Sequence, residues 1–120
     1  MIPFLKSFAF AAKGLKDLFR HHRNARIHLV AAITAIVLGF IFHISIGEWV
    51  AVLLSIGVVI ALEGMNTAIE YLTDMVSPGI HPMAGKVKDM AAGAVLFAVL
   101  CAVAIGIIIF SPKMIHWLNG

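Results

Sequence analysis

Two stretches of this chain, Leu29 to Ile46 and Met90 to Phe110, contain no Asp, Glu, Lys or Arg. Each is about the length that a helix rising ~1.5 Å per residue needs to cross a ~30 Å hydrocarbon layer. A chain built this way has lipid as its solvent. Its composition agrees, at 62% hydrophobic and 12% charged residues, where soluble domains carry roughly a quarter charged. A water-soluble domain of 120 residues has too little interior to hide so much apolar side chain, because surface falls slowly with size. Membrane insertion removes that difficulty. A disulfide-stapled scaffold is excluded too, since Cys101 is the single cysteine and has no intrachain partner; it reads as apolar filling.

The expected fold class is an all-α membrane protein forming one domain over residues 1–120. Residues 3–20 place Phe4, Phe8, Ala11, Leu15, Leu18 and Phe19 at helical spacing, with Lys6, Lys13, Lys16, Asp17 and Arg20 around the rest of the wheel. That pattern predicts an amphipathic helix lying on the membrane surface. Lysines interrupt any signal-peptide core there, so these first residues are expected in the mature protein. Transmembrane helices are expected over 29–46, 49–73 and 90–110, with a short turn at Gly47 and Glu48 and a polar connection over 74–89. Every Lys and Arg except Lys113 falls on the side shared by the N-terminus and that connection. By the positive-inside rule this side is the cytosol and the C-terminus lies outside.

Six acidic residues exist in the chain, and three of them, Glu63, Glu70 and Asp74, fall in or at the end of the second span. At about 100° per residue Glu70 and Asp74 return to within roughly 20° of Glu63, one on either side, so the three form one stripe, flanked by Asn66 and Thr67. An ionisable group in a span costs about 2.5 kcal/mol or more at the bilayer centre, which makes such a stripe a functional-site hypothesis. Depth separates the roles. Glu63 lies ~10 Å deeper than Glu70, and Asp74 ~6 Å further out, by helical rise. The deep carboxylate suits a lipid headgroup, and the outer ones a water-soluble anion carrying a metal. Mg²⁺ takes one or two carboxylates plus substrate phosphates, and Glu70 fits that ligand role. Lys86, Lys88, His81 and Asp89 follow in the connection, where cations can neutralise phosphate charge. These are the parts of a phosphoryl-transfer site. Carboxylates that merely stitch helices by pairing with Arg23, Arg26 or Lys88 explain single members of the stripe better than the whole set.

Gly79 to Lys86 reads GIHPMAGK but is not a P-loop: it has five residues between its glycines, Val87 after the Lys, and no preceding strand. His21, His22 and His28 surround Arg26 without metal-ligand spacing, and His43 and His116 fall on the opposite side. Nothing points to a nucleic-acid partner.

The segment Glu63-Gly-Met-Asn66-Thr-Ala-Ile-Glu70-Tyr-Leu-Thr-Asp74 resembles the signature of the bacterial integral-membrane diacylglycerol kinase family. So does His81-Pro-Met-Ala-Gly-Lys-Val-Lys88-Asp89-Met-Ala-Ala-Gly-Ala-Val-Leu96. The resemblance runs from Lys13-Gly-Leu through Asn24-Ala-Arg26-Ile-His28 to the third span, and the His-Pro opening looks more like the undecaprenol kinase branch. It implies a homotrimer with active sites shared between subunits in the bacterial plasma membrane, with Mg²⁺ as cofactor and ATP as phosphoryl donor. By position, it implies that Glu63 is the general base, that Asn66 and Arg26 join Glu63 in binding the lipid, and that Glu70 is the metal and nucleotide ligand. Lys88, Asp89, Phe10 and His22 match nucleotide-contacting positions, and Asp74 shapes the pocket. In one place the sequence departs from the family. Four residues before Arg26, where the family usually has a metal-binding Glu, stands His22, and imidazole suits Mg²⁺ less well than carboxylate. His22 can still ligate a metal beside Glu70; otherwise Glu70 with phosphate oxygens carries it, Asp17 or Asp89 substitutes, or the enzyme is weakened.

The expectation is an ATP- and Mg²⁺-dependent kinase acting on the hydroxyl of diacylglycerol or undecaprenol at the cytosolic interface. The alternatives are a proton or ion transport protein, since intramembrane carboxylates also mark ion pathways, and a non-catalytic member of the family.

Overall fold

One residue, His22, separates the first helix, α1 (Ile2–His21), from the second, α2 (Arg23–Ile41). In the computed structural model, which describes residues 2–120, the His22 backbone is extended, at φ −123° and ψ 115°. That single extended residue turns the chain from α1 into α2. At the far end of α2, the Phe42 and Ile44 N–H groups bond back to the Leu38 and Gly39 carbonyls. His43 between them adopts the left-handed φ of 50°, a conformation in which His is enriched among non-glycine residues.

The third helix, α3 (Ile46–Val76), starts at a capping box. The Ser45 hydroxyl accepts the Glu48 N–H at 3.2 Å, and Glu48 Oε1 accepts the Ser45 N–H at 2.9 Å, which satisfies donors that a helix start leaves open. The other Glu48 oxygen takes the Lys113 ammonium at 2.9 Å. Lys113 belongs to the fourth helix, α4 (Pro82–Asn119), so this pair pins α3 to α4 at the end of the bundle remote from His22. His81 caps the start of α4, its Nδ1 accepting the Met83 N–H at 3.1 Å, and Pro82 occupies the first helical position, where a missing N–H costs nothing.

The apolar stretches of the sequence are the middles of longer helices. Of the stretch 29–46, residues 42–45 form the turn, because the backbone closes on Leu38 and Gly39; Gly47 and Glu48, expected as the turn, lie in the first turn of α3. The connection expected over 74–89 is mostly helical, and only residues 77–81 lie outside helices. Hydropathy marks where a helix meets lipid and says nothing of how far its polar ends continue. The 31 residues of α3 and the 38 of α4 correspond to ~46 and ~57 Å at ~1.5 Å per residue, well beyond a ~30 Å hydrocarbon layer. Their polar ends therefore project past it. Pro112 does not end α4, which continues to Asn119.

The central helix is α3, packed along α4 and along α2, while α2 and α4 flank it with little contact between them. Ile44, Val52, Ile109 and Phe110 form the buried cluster, with Trp49, Phe42 and Leu38 packed around it. Outward-facing side chains are large and apolar: Phe40 is 69% exposed and Phe97 72%. Such a surface is a liability in water and a requirement in lipid, and α2, α3 and α4 are each long and apolar enough to cross a membrane.

Close packing of α2 on α3 depends on Gly39. A Cβ there would lie 2.6 Å from Trp49 Cη2 and 3.1 Å from Ile44 Cδ1. Gly39→Ala is expected to lower stability in detergent by about 1–3 kcal/mol through overpacking, with partial recovery when combined with Trp49→Phe; thermal unfolding of the single and double variants measures both.

Candidate active site

On α3 the acidic stripe grades from buried to exposed along the helix. Glu63 is 4% exposed, Asn66 9% and Thr67 5%, Glu70 is half-buried, and Asp74 is exposed. The Asn66 amide donates from Nδ2 to Glu70 Oε1 at 3.4 Å. This contact fixes the orientation of the amide, because a carboxylate accepts only from the NH₂ end. Asn66 Oδ1 is thereby left buried and without a protein partner, an acceptor held ready for a donor that the chain does not supply.

Across from Glu63, α2 contributes a residue that sequence reasoning did not connect to it. The Nε2 of His28 lies 3.6 Å from Glu63 Oε2, and the two side chains are 18% and 6% exposed. Both line a cavity of about 270 Å³ that Asn24 and Asn66 also enter, closed on the α4 side by Ala92 and Val95. A second, apolar cavity of about 180 Å³ runs between α2, α3 and α4, from His28 and Val99 past Ala32 and Ala102 to Phe110. His28 and Val99 line both cavities. The signal in the sequence was a His at the edge of the first apolar run, since polar groups in a membrane pair with one another.

Nearer the α1–α2 junction, Tyr71 of α3 links two residues of other segments. Its hydroxyl donates to Asp17 Oδ2 at 3.1 Å and accepts from His22 Nε2. Asp17 is also 3.7 Å from His21. The Arg26 guanidinium, expected at the lipid, donates to the carbonyls of Arg20 at 2.8 Å and Phe19 at 3.2 Å. In this structure it caps the open C-terminal end of α1. Lys88 donates to Asp74 Oδ1, bringing the start of α4 onto the outer end of the stripe, and Asp89 is exposed beside it. Phe10 is 65% exposed on α1, with the Lys13 ammonium 5.8 Å from its ring centre.

Among the described residues no three His, Cys, Asp or Glu side chains converge to hold a metal ion. The donor set still suits a hard cation that arrives with its substrate, since Mg²⁺ takes only one or two carboxylates and completes its octahedron with phosphate oxygens and water. Glu70 is placed for this, half-buried and steadied by Asn66.

The sequence profile of prokaryotic diacylglycerol kinase matches residues 9–110. The chain belongs to that family. Its similarity to an undecaprenol kinase of Bacillus subtilis is 43% identity over 112 residues, covering 92% of this chain and 90% of that one. A diacylglycerol kinase of Synechocystis is 34% identical over 92% of this chain and 64% of its own length. One from Escherichia coli is 29% identical, over 82% and 81%. Prokaryotic diacylglycerol kinases are lipid kinases, phosphotransferases with an alcohol group as acceptor, and the matched span takes in every residue of the carboxylate stripe together with His22 and His28.

The Tyr71 hydroxyl joins α3 to both α1 and the α1–α2 junction. Tyr71→Phe removes both hydrogen bonds and is expected to loosen α1, at a cost of about 0.5–1.5 kcal/mol per bond, read as faster amide exchange or proteolysis over residues 17–24 with exchange in the middle of α3 unchanged.

Proposed function

We propose that this chain is an ATP- and Mg²⁺-dependent kinase of a membrane lipid alcohol, with undecaprenol favoured over diacylglycerol as acceptor. The observation that carries the reading is Glu63, a nearly buried carboxylate facing a cavity that continues into an apolar groove. A lipid alcohol has the matching shape: its chain occupies the groove and its hydroxyl reaches Glu63. The preference for undecaprenol rests on the greater identity to an undecaprenol kinase than to the diacylglycerol kinases described above.

Glu63 accepts the hydroxyl proton as the alcohol oxygen attacks the γ-phosphorus, and Asn66, which lines the same cavity, contacts the lipid alcohol there. Glu70 holds the nucleotide's cation, and His22, bonded to Tyr71, contacts the nucleotide. Lys88, steadied by Asp74, and Asp89 contact the nucleotide, with Phe10 against it and Arg26 at the lipid headgroup. When bound, Mg²⁺ neutralises charge on the transferring phosphoryl group. Positioning and electrostatic stabilisation supply most of what phosphoryl transfer requires. The chain spans the inner membrane three times, its N-terminus in the cytosol and its C-terminus outside, with α1 on the cytosolic surface and three subunits sharing their sites. Transport is disfavoured because beyond His28 the groove toward Phe110 offers only Ser55 as a polar side chain, too little for a proton path.

Purified protein in lipid vesicles with labelled ATP is expected to phosphorylate undecaprenol, and diacylglycerol more slowly. Glu63→Gln is expected to lower kcat by roughly 10²–10⁴-fold, the usual contribution of a general base, with the KM for ATP little changed. His22→Glu is expected to lower the Mg²⁺ concentration needed for half-maximal rate. No lipid phosphate from either acceptor, with Mg²⁺ or Mn²⁺, would end the kinase reading.

A further inference from the structure

His28 has no part in the reading above, yet it is the one ionisable group that faces Glu63 in their shared cavity. The other lining residues are Asn24, Ile27 and Asn66 with Ala92, Val95, Leu96 and Val99 of α4, none of which titrates. The two side chains come from different helices, so their approach to 3.6 Å is a product of the fold and not of helical spacing. At that distance they are in ion-pair range but not locked in a hydrogen bond, and a small movement of either closes the gap.

A nearly buried carboxylate that takes a proton at every turnover needs somewhere to pass it on. Bulk water does not reach Glu63 freely, whose side chain is 6% exposed; that of His28 is three times more open, at 18%. Imidazole can receive a proton on one ring nitrogen and release one from the other, which suits a group standing between a closed base and a more open edge of the cavity.

We propose that His28 is the positioning partner of Glu63 and relays the proton away from it, so that Glu63 and His28 act as one base. This rests on the kinase reading. In the step, the alcohol O–H bond breaks and its proton goes to Glu63 Oε2 while the oxygen forms its bond to the γ-phosphorus and ADP leaves. The Glu63 proton then passes to His28 Nε2, restoring the carboxylate, and the imidazolium gives up its Nδ1 proton to water. This leaves the Nε2–H tautomer, and proton exchange with water at the more open edge of the cavity restores the Nδ1–H form before the next turnover. No redox partner is needed, and the chain then stands in its starting state.

The test compares wild type, Glu63→Gln, His28→Gln and His28→Ala in lipid vesicles, with the folded state checked by thermal unfolding. His28→Gln keeps a polar side chain of similar reach but cannot carry a proton. It is expected to lower kcat roughly 10- to 100-fold, at the lower end of what acid–base groups contribute, with KM for lipid and for ATP within about twofold. His28→Ala leaves room in the cavity, and added imidazole is expected to restore its rate in a saturable way, more strongly as pH rises and more imidazole is in its free-base form. A structural role would not produce that rescue. Wild-type kcat in His28→Gln, or a folded His28→Ala that imidazole fails to rescue, overturns the proposal while leaving the kinase reading intact. A wild type without lipid kinase activity would instead remove the reading on which the proposal stands.

Discussion

The chemistry proposed for this molecule depends on α3 carrying carboxylates through a region where carboxylates are costly. An unpaired charge at the bilayer centre is worth several kcal/mol against insertion, and the fold meets that cost by grading it along the helix. Glu63 is enclosed and faces an imidazole, Glu70 takes an amide proton from Asn66, and Asp74 stands in the open against Lys88. Each carboxylate has the partner that its depth demands. The central place of α3 follows, since only a helix with neighbours on both flanks can shield one stripe while showing lipid the rest.

The two ends of the bundle are built differently. At the Glu48 end, a capping box, the Lys113 pair and the cluster of Ile44, Val52, Ile109 and Phe110 hold α3 and α4 together. At the other end Leu18 and Ala25 are buried, and the remaining contacts are polar and come from single side chains: Tyr71 to Asp17 and His22, Arg26 to the carbonyls of α1, Lys88 to Asp74. Apolar packing dominates on one side, and exchangeable hydrogen bonds add to it on the other. Binding sites are drawn from the less stable parts of a fold, and the carboxylate stripe lies at the polar end.

The middle of each helix was legible in the sequence, because runs such as Leu29 to Ile41 have no other use for their apolar side chains. Helix ends were not. They are decided by capping at Ser45, the left-handed turn at His43 and the polar extension of α4 back to Pro82, none of which alters hydropathy. The alignment of Glu63, Glu70 and Asp74 on one stripe was readable because it lies within one helix and obeys its period. The approach of His28 to Glu63, and of Tyr71 to Asp17 and His22, depends on how helices pack, and no spacing in a single segment encodes that. Arg26 shows the same limit in another form: its charge was plain, but its use as a cap for α1 depended on the turn at His22.

Because α2 and α4 flank α3 without closing on each other, the groove between them lies along the side of the bundle. A hydrophobic molecule dissolved in the bilayer can slide in laterally, chain first, and need never leave the oil phase. The search is then two-dimensional, and the quantity that governs encounter is the acceptor's mole fraction in the surrounding leaflet, with its amount per volume of water immaterial. Diluting the membrane with inert lipid acts on such a catalyst as adding water does on a soluble one.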